Sequence, residues 1–138
     1  MKLEEFSQDD FERASKRLVR SLTRGKTTSS QPKAILLGGQ SGAGKTTIHR
    51  IKQREFQGNI IIIDGDSYRS FHPNYLGLQE KYGKDSVDYT KVFAGQMVEY
   101  LVDELSKQGY HLLIEGTLRT TEVPRKTSQL LTTKGYQV

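Results

Sequence analysis

The sequence predicts an α/β fold, a parallel sheet flanked by helices, and two features carry that expectation. Three short apolar runs, AILL at Ala34–Leu37, IIII at Ile60–Ile63 and LLI at Leu112–Ile114, are unbroken by polar residues and separated by helical patterns. Strands wetted on one face alternate apolar and polar residues, whereas strands apolar throughout are covered on both faces, as in parallel sheets with crossover helices. A glycine-rich turn, GGQSGAGKTT at 38–47, also lies between the first run and the helical pattern after it. Glycines there punctuate the end of a strand and the start of a helix.

The elements follow in chain order. From Gln8 to Leu22, Phe11, Ala14, Leu18 and Leu22 recur at three- and four-residue intervals, with Asp9, Asp10 and Glu12 early and Arg17, Arg20 and Arg24 late. That is an amphipathic helix whose charges suit its dipole, placed within residues 1–24. GKTTSSQP, 25–32, is small and polar with a glycine and a proline, and reads as a linker into the core at 33–138. Further helices are expected at about Lys45–Phe56, Tyr89–Lys107 and Val123–Lys134. The closing GYQV reads as a helix stop and the first residue of another strand, so the sheet is expected to be incomplete at the C-terminus. Residues 64–88, polar and aromatic without a clear period, read as a long connection of the kind that is often functional.

With 138 residues, 34% of them apolar, the chain has material for one modest core and is expected to form one domain. The N-terminus MKLEEFSQDDFER is charged where a signal peptide needs an apolar stretch, and no run of apolar residues is long enough to span a bilayer. A cytoplasmic protein with no membrane partner is the expectation. Absence of cysteine removes disulfides and thiolate metal sites. A net charge of +5 favours anionic partners without choosing among nucleic acid, membrane surface and phosphorylated small molecules.

The chemistry is concentrated after the three apolar runs. Gly39-Gln40-Ser41-Gly42-Ala43-Gly44-Lys45-Thr46 fits the phosphate-binding P-loop pattern, in which glycines let backbone N–H groups turn toward phosphate oxygens. Lys45 is then expected to reach the β and γ phosphates and Thr46 to ligate Mg²⁺, with Thr47 beside it in an ATP-binding segment. The second run ends in Asp64-Gly65-Asp66 and the third in Glu115-Gly116-Thr117. Ligands of parallel sheets lie beyond the carboxyl ends of the strands. If the chain stays extended, Asp64 and Asp66 project to one side. One could then take the proton of an acceptor hydroxyl, the other could cap the following turn, and Asp66 is the preferred base. Glu115 fits an acidic residue holding Mg²⁺ or its water, or else a partner of Lys45 in the empty site. Thr117 and Arg119 are placed to grip a second substrate. Glu99, with Gln96 and Asp103, forms a polar strip that by itself reads as a solvated helix face. His49, His72 and His111 are not at metal-ligand spacing and receive no role.

At AILLGGQSGAGKTTIHRIKQ, IIIIDGDSYRSFHPNY and LLIEGTLRT the sequence resembles the zeta toxins of bacterial epsilon–zeta toxin–antitoxin systems, the streptococcal members in particular. The resemblance implies a P-loop kinase that transfers phosphate from ATP to the 3′-hydroxyl of the sugar in UDP-N-acetylglucosamine, with Mg²⁺ as cofactor. It implies Gly39–Thr46 as the ATP cradle, Lys45 as its essential lysine and Asp66 as the base. Glu99, Thr117 and Arg119 become contacts of the UDP-sugar. A small helical antitoxin is implied as partner. The resemblance also implies a longer protein whose downstream half supplies the rest of the sheet, much of the adenine pocket and lid arginines. This sequence is therefore expected to be the N-terminal portion of such a toxin, nearly inactive by itself.

Two other functions compete. One is a module that binds nucleotide or antitoxin without catalysis. The other is a nucleic-acid kinase or ATPase, ranked last because no nucleic-acid-binding motif accompanies the basic charge.

Overall fold

A computed structural model describes residues 2–37, 45–115 and 122–138, with the side chains of 45–46 and 122–126 left out. Helix α1, Gln8–Thr23, is capped by Ser7, whose hydroxyl accepts the Asp10 N–H, and it buries Phe11, Ala14, Ser15 and Leu18. Strand β1, Ala34–Leu37, is followed by α2, Lys45–Glu55, and β2, Ile61–Asp64. Helix α4, Ser86–Gln108, leads into β3, Leu112–Glu115, and α5, Glu122–Thr133, follows. Among the described residues the strands form one parallel sheet in the order β1-β3-β2.

The unbroken apolar runs are strands because both sheet faces are covered. All four residues of the central strand β3 are buried. Ile61, Ile63 and Leu112 share one core with Phe11 and Leu18 of α1, Phe93, Met97, Leu101 and Leu105 of α4, and Leu131 of α5. Phe6 adds an aromatic cluster, its ring centroid 5.0 Å from Phe93 and 5.7 Å from His72.

The connection at 64–88 is not an aperiodic loop. It folds as a 3₁₀ helix, Gly65–Phe71, the helix α3, Tyr75–Tyr82, and a second 3₁₀ turn, Gly83–Asp85. Each longer piece buries a single anchor, Tyr68 in the first and Leu78 in α3. One anchor per segment, at three residues per turn in the 3₁₀ helix, leaves no repeating 3.6-residue pattern to recognise. Helix α4 likewise starts at Ser86 rather than Tyr89, because its first inward positions, Ser86 and Thr90, are small and polar. Thr90 Oγ1 donates to Ser86 O within that turn.

The 25–32 segment is pinned to the body. Lys26 Nζ donates to Gly58 O, Thr27 N–H to Asn59 Oδ1, and Ser29 N–H to Gly109 O. Gly109 ends α4 at φ +88°, and a β-carbon there would sit 3.0 Å from Ser29 O, so both dihedral and space require glycine. The expected fourth strand begins at the C-terminus. Ala34 N–H donates to Gln137 O and Gln137 N–H to Pro32 O, a parallel bridge beside β1. No described helix is long and apolar enough to cross a membrane.

Candidate active site

Strand register brings the site together. Glu115 of β3 lies across from Leu37 of β1 on one side and Asp64 of β2 on the other. The three strands therefore end level, with Glu115 in the middle, the arrangement that convergent strand ends require. Leu37 is the last strand residue before the glycine-rich segment, and Lys45 opens α2 on its far side. Gly39–Gly44, Thr117 and Arg119 lie outside the described residues. Lys45 and Thr46 are placed by backbone alone, as the first two residues of α2. Thr47, next in that first turn, is exposed.

The expectation that Asp64 and Asp66 share one side of an extended chain is corrected. The chain turns at Gly65, because Asp64 caps the 3₁₀ helix. Its Oδ1 accepts the Asp66 N–H at 3.2 Å and its Oδ2 accepts the Ser67 hydroxyl at 3.0 Å. A carboxylate at the start of a helical turn satisfies donors that have no partner within it. Asp64 is thereby occupied, while Asp66 stands exposed in the first turn.

Gly65 lets another element approach, and that element is α4. A β-carbon on Gly65 would sit 3.1 Å from Val98 Cγ2. Asp66 and Glu99 are each one residue from that contact, and both are exposed. The close packing of α4 on Gly65–Phe71 thus joins the segment that carries the candidate base to the segment that carries Glu99. Asp103 of the same strip does something else. Its Oδ1 accepts from Lys134 Nζ at 2.7 Å and its Oδ2 lies 3.3 Å from Lys107 Nζ. The Lys134 hydrogen bond is the main cause that holds the Asp103 carboxyl below the usual range.

His49, given no role from spacing, is part of the site. Its Nε2 is 2.6 Å from Glu115 Oε2, with the Glu115 side chain 9% exposed and that of His49 21%. The signal that could have found it is helical: His49 is four residues beyond Lys45, so the two positions share a face of α2. Tyr68 is a second residue missed. It is 3% exposed, and its phenol lies beside Asp64, whose backbone is within reach of the hydroxyl. Burial pushes its pKa well above the ordinary phenol range.

The family profile described as zeta toxin matches residues 18–138. The chain belongs to the zeta toxin family. It is 68% identical over 138 residues to toxin PezT of Streptococcus pneumoniae, covering all of this chain and 54% of that protein. It is 42% identical over 132 residues to toxin zeta of Streptococcus pyogenes, covering 96% of this chain and 46% of that protein. A solved structure from a study of the PezAT chromosomal toxin–antitoxin system of S. pneumoniae superposes with a TM-score of 0.97 at 69% identity. That match takes in 100% of this chain and 57% of the solved one. The chain thus spans about half the length of the relatives it matches.

Proposed function

We propose that the intact protein is an ATP-dependent kinase of UDP-N-acetylglucosamine, acting as the toxin of a toxin–antitoxin pair and restrained by a small helical antitoxin. The observation that carries this is the level ending of β1, β3 and β2, which sets Leu37, Glu115 and Asp64 side by side. A P-loop pattern continuing from the first of these ends and acidic residues at the other two make a place for a triphosphate and its acceptor. Family membership and the named toxin relatives support the same assignment.

In the proposed reaction the 3′-oxygen of the sugar attacks the γ-phosphorus of ATP, its proton passes to the Asp66 carboxylate, and ADP leaves. Asp66 suits this because it is exposed to a second substrate while its backbone N–H is tied to Asp64. Lys45 supplies positive charge to the β and γ phosphates. Glu99, Thr117 and Arg119 are the proposed grip on the UDP-sugar.

Mg²⁺ fits the donors present. It keeps several waters and takes one or two protein oxygens plus phosphates, so it needs no cage of carboxylates. Among the described residues no three acidic or imidazole side chains converge on such a cage, and Glu115 offers one carboxylate. Glu115 and Thr46 would hold the ion, which would neutralise charge on the phosphates.

The test is phosphorylation of UDP-N-acetylglucosamine by the intact protein, followed by mass spectrometry of the product. Lys45→Ala should abolish turnover and weaken ATP binding. Unchanged phosphorylation in that variant, or no phosphorylated sugar from the wild type, would reject the assignment.

A further inference from the structure

The contact between His49 and Glu115 ties together two elements that the phosphate-binding pattern leaves separate. Helix α2 begins at Lys45, and Glu115 ends the central strand. We infer that His49 is a positioning residue, which fixes the Glu115 carboxylate relative to the first turn of α2 and so sets the affinity for nucleotide with Mg²⁺. The inference rests on the kinase assignment above and extends it to a residue outside the P-loop pattern.

Three observations support it. The Glu115 side chain is 9% exposed, so the few groups that reach its carboxylate, His49 among them, decide where it points. Nε2 of His49 stands 2.6 Å from Oε2, closer than two unassociated polar atoms approach. His49 is itself mostly buried and sits one helical turn beyond Lys45, so its ring is carried by the same rigid helix that begins at the proposed phosphate lysine. Residues that orient a metal-binding carboxylate commonly change metal affinity or activity 10- to 100-fold when removed. A side chain that merely filled space would not change the concentration of Mg²⁺ required.

The experiment uses the intact protein with Mg²⁺ and a non-hydrolysable ATP analogue. Calorimetry measures analogue affinity across a Mg²⁺ titration, and kinetics separate kcat from the KM values of ATP and UDP-N-acetylglucosamine. His49→Ala should raise the Mg²⁺ concentration for half-maximal analogue binding about tenfold or more. It should lower kcat and leave KM for the UDP-sugar unchanged. His49→Gln, whose amide N–H can donate to the same carboxylate, should recover most of the loss. In a Glu115→Gln background His49→Ala should add little. Should His49→Ala unfold at assay temperature, His49→Met, of similar volume, replaces it. An unchanged Mg²⁺ requirement in a folded His49 variant, or equal losses with and without Glu115→Gln, would overturn the inference. Lys45→Ala keeps the two failures apart. If it leaves analogue binding intact, the kinase assignment falls; if it removes binding while His49→Ala does not alter it, only the role of His49 falls.

Discussion

The Asp64 carboxylate bridges the backbone N–H of Asp66 and the hydroxyl of Ser67, so one member of the acidic pair builds the turn on which the other is displayed. The two should fail differently on substitution. Asp64→Ala should lower stability by about 1 kcal/mol through loss of the cap and reduce turnover by displacing Asp66. Asp66→Asn should leave the melting temperature unchanged and reduce turnover on the order of 100-fold. Thermal melts and UDP-sugar phosphorylation decide it. A stable, crippled Asp64→Asn beside an active Asp66→Asn would exchange their roles.

Gly65 and Val98 are the second pair to test. A methyl group at Gly65 would press on Val98 Cγ2 at 3.1 Å, so Gly65→Ala should cost about 1 kcal/mol and shift α4 against the 3₁₀ helix. Val98→Ala should relieve part of that cost, giving a double mutant more stable than the sum of the single changes. Additive losses in denaturant titrations would show that the two side chains do not meet.

Tyrosines set the alkaline limit. Burial raises the pKa of Tyr136 to about 12, and its hydroxyl donates to Tyr110 O. Burial raises that of Tyr68 as well. An unfolded tyrosine titrates near pH 10, so the folded values lie above the unfolded one. Stability should therefore be whole below about pH 10 and fall as the pH rises from there toward 12. Tyr136→Phe should flatten that fall. Tyr68→Phe should do so too, since it removes a phenol that burial keeps neutral. An unchanged alkaline limb in both variants would exclude these tyrosines as its source.

At the acid end the relevant contact is Asp103 with Lys134. Lys134 Nζ donates to Asp103 Oδ1, Asp103 O and Ser106 Oγ, fastening the segment after α5 to α4. The folded carboxyl pKa lies below its unfolded value, so its contribution is present above about pH 4 and is lost as the pH falls below that. The Asp103 side chain is nearly half exposed, and the effect should be small. Lys134→Met should make stability less dependent on pH between about 2 and 4, as read by urea midpoints. An unchanged acid limb would exclude the pair as its source.

The sequence by itself determined the strands, the long helices and the segments that carry chemistry. Unbroken runs such as Ile60–Ile63 and the 3.6-residue stripe of α1 are local patterns, and local patterns survive in one dimension. Tertiary structure decided what depends on two distant segments meeting. Strand order and register set Glu115 between Leu37 and Asp64, although the three are far apart in the chain. The turn at Gly65 split the roles available to Asp64 and Asp66, because the approach of Val98 and the capping bonds favour a 3₁₀ helix over an extended chain. Likewise, His49 joined the site only because α2 packs its ring against the end of β3. Helical spacing puts His49 on the same face of α2 as Lys45, but its contact with Glu115 exists only once the sheet has brought their elements together.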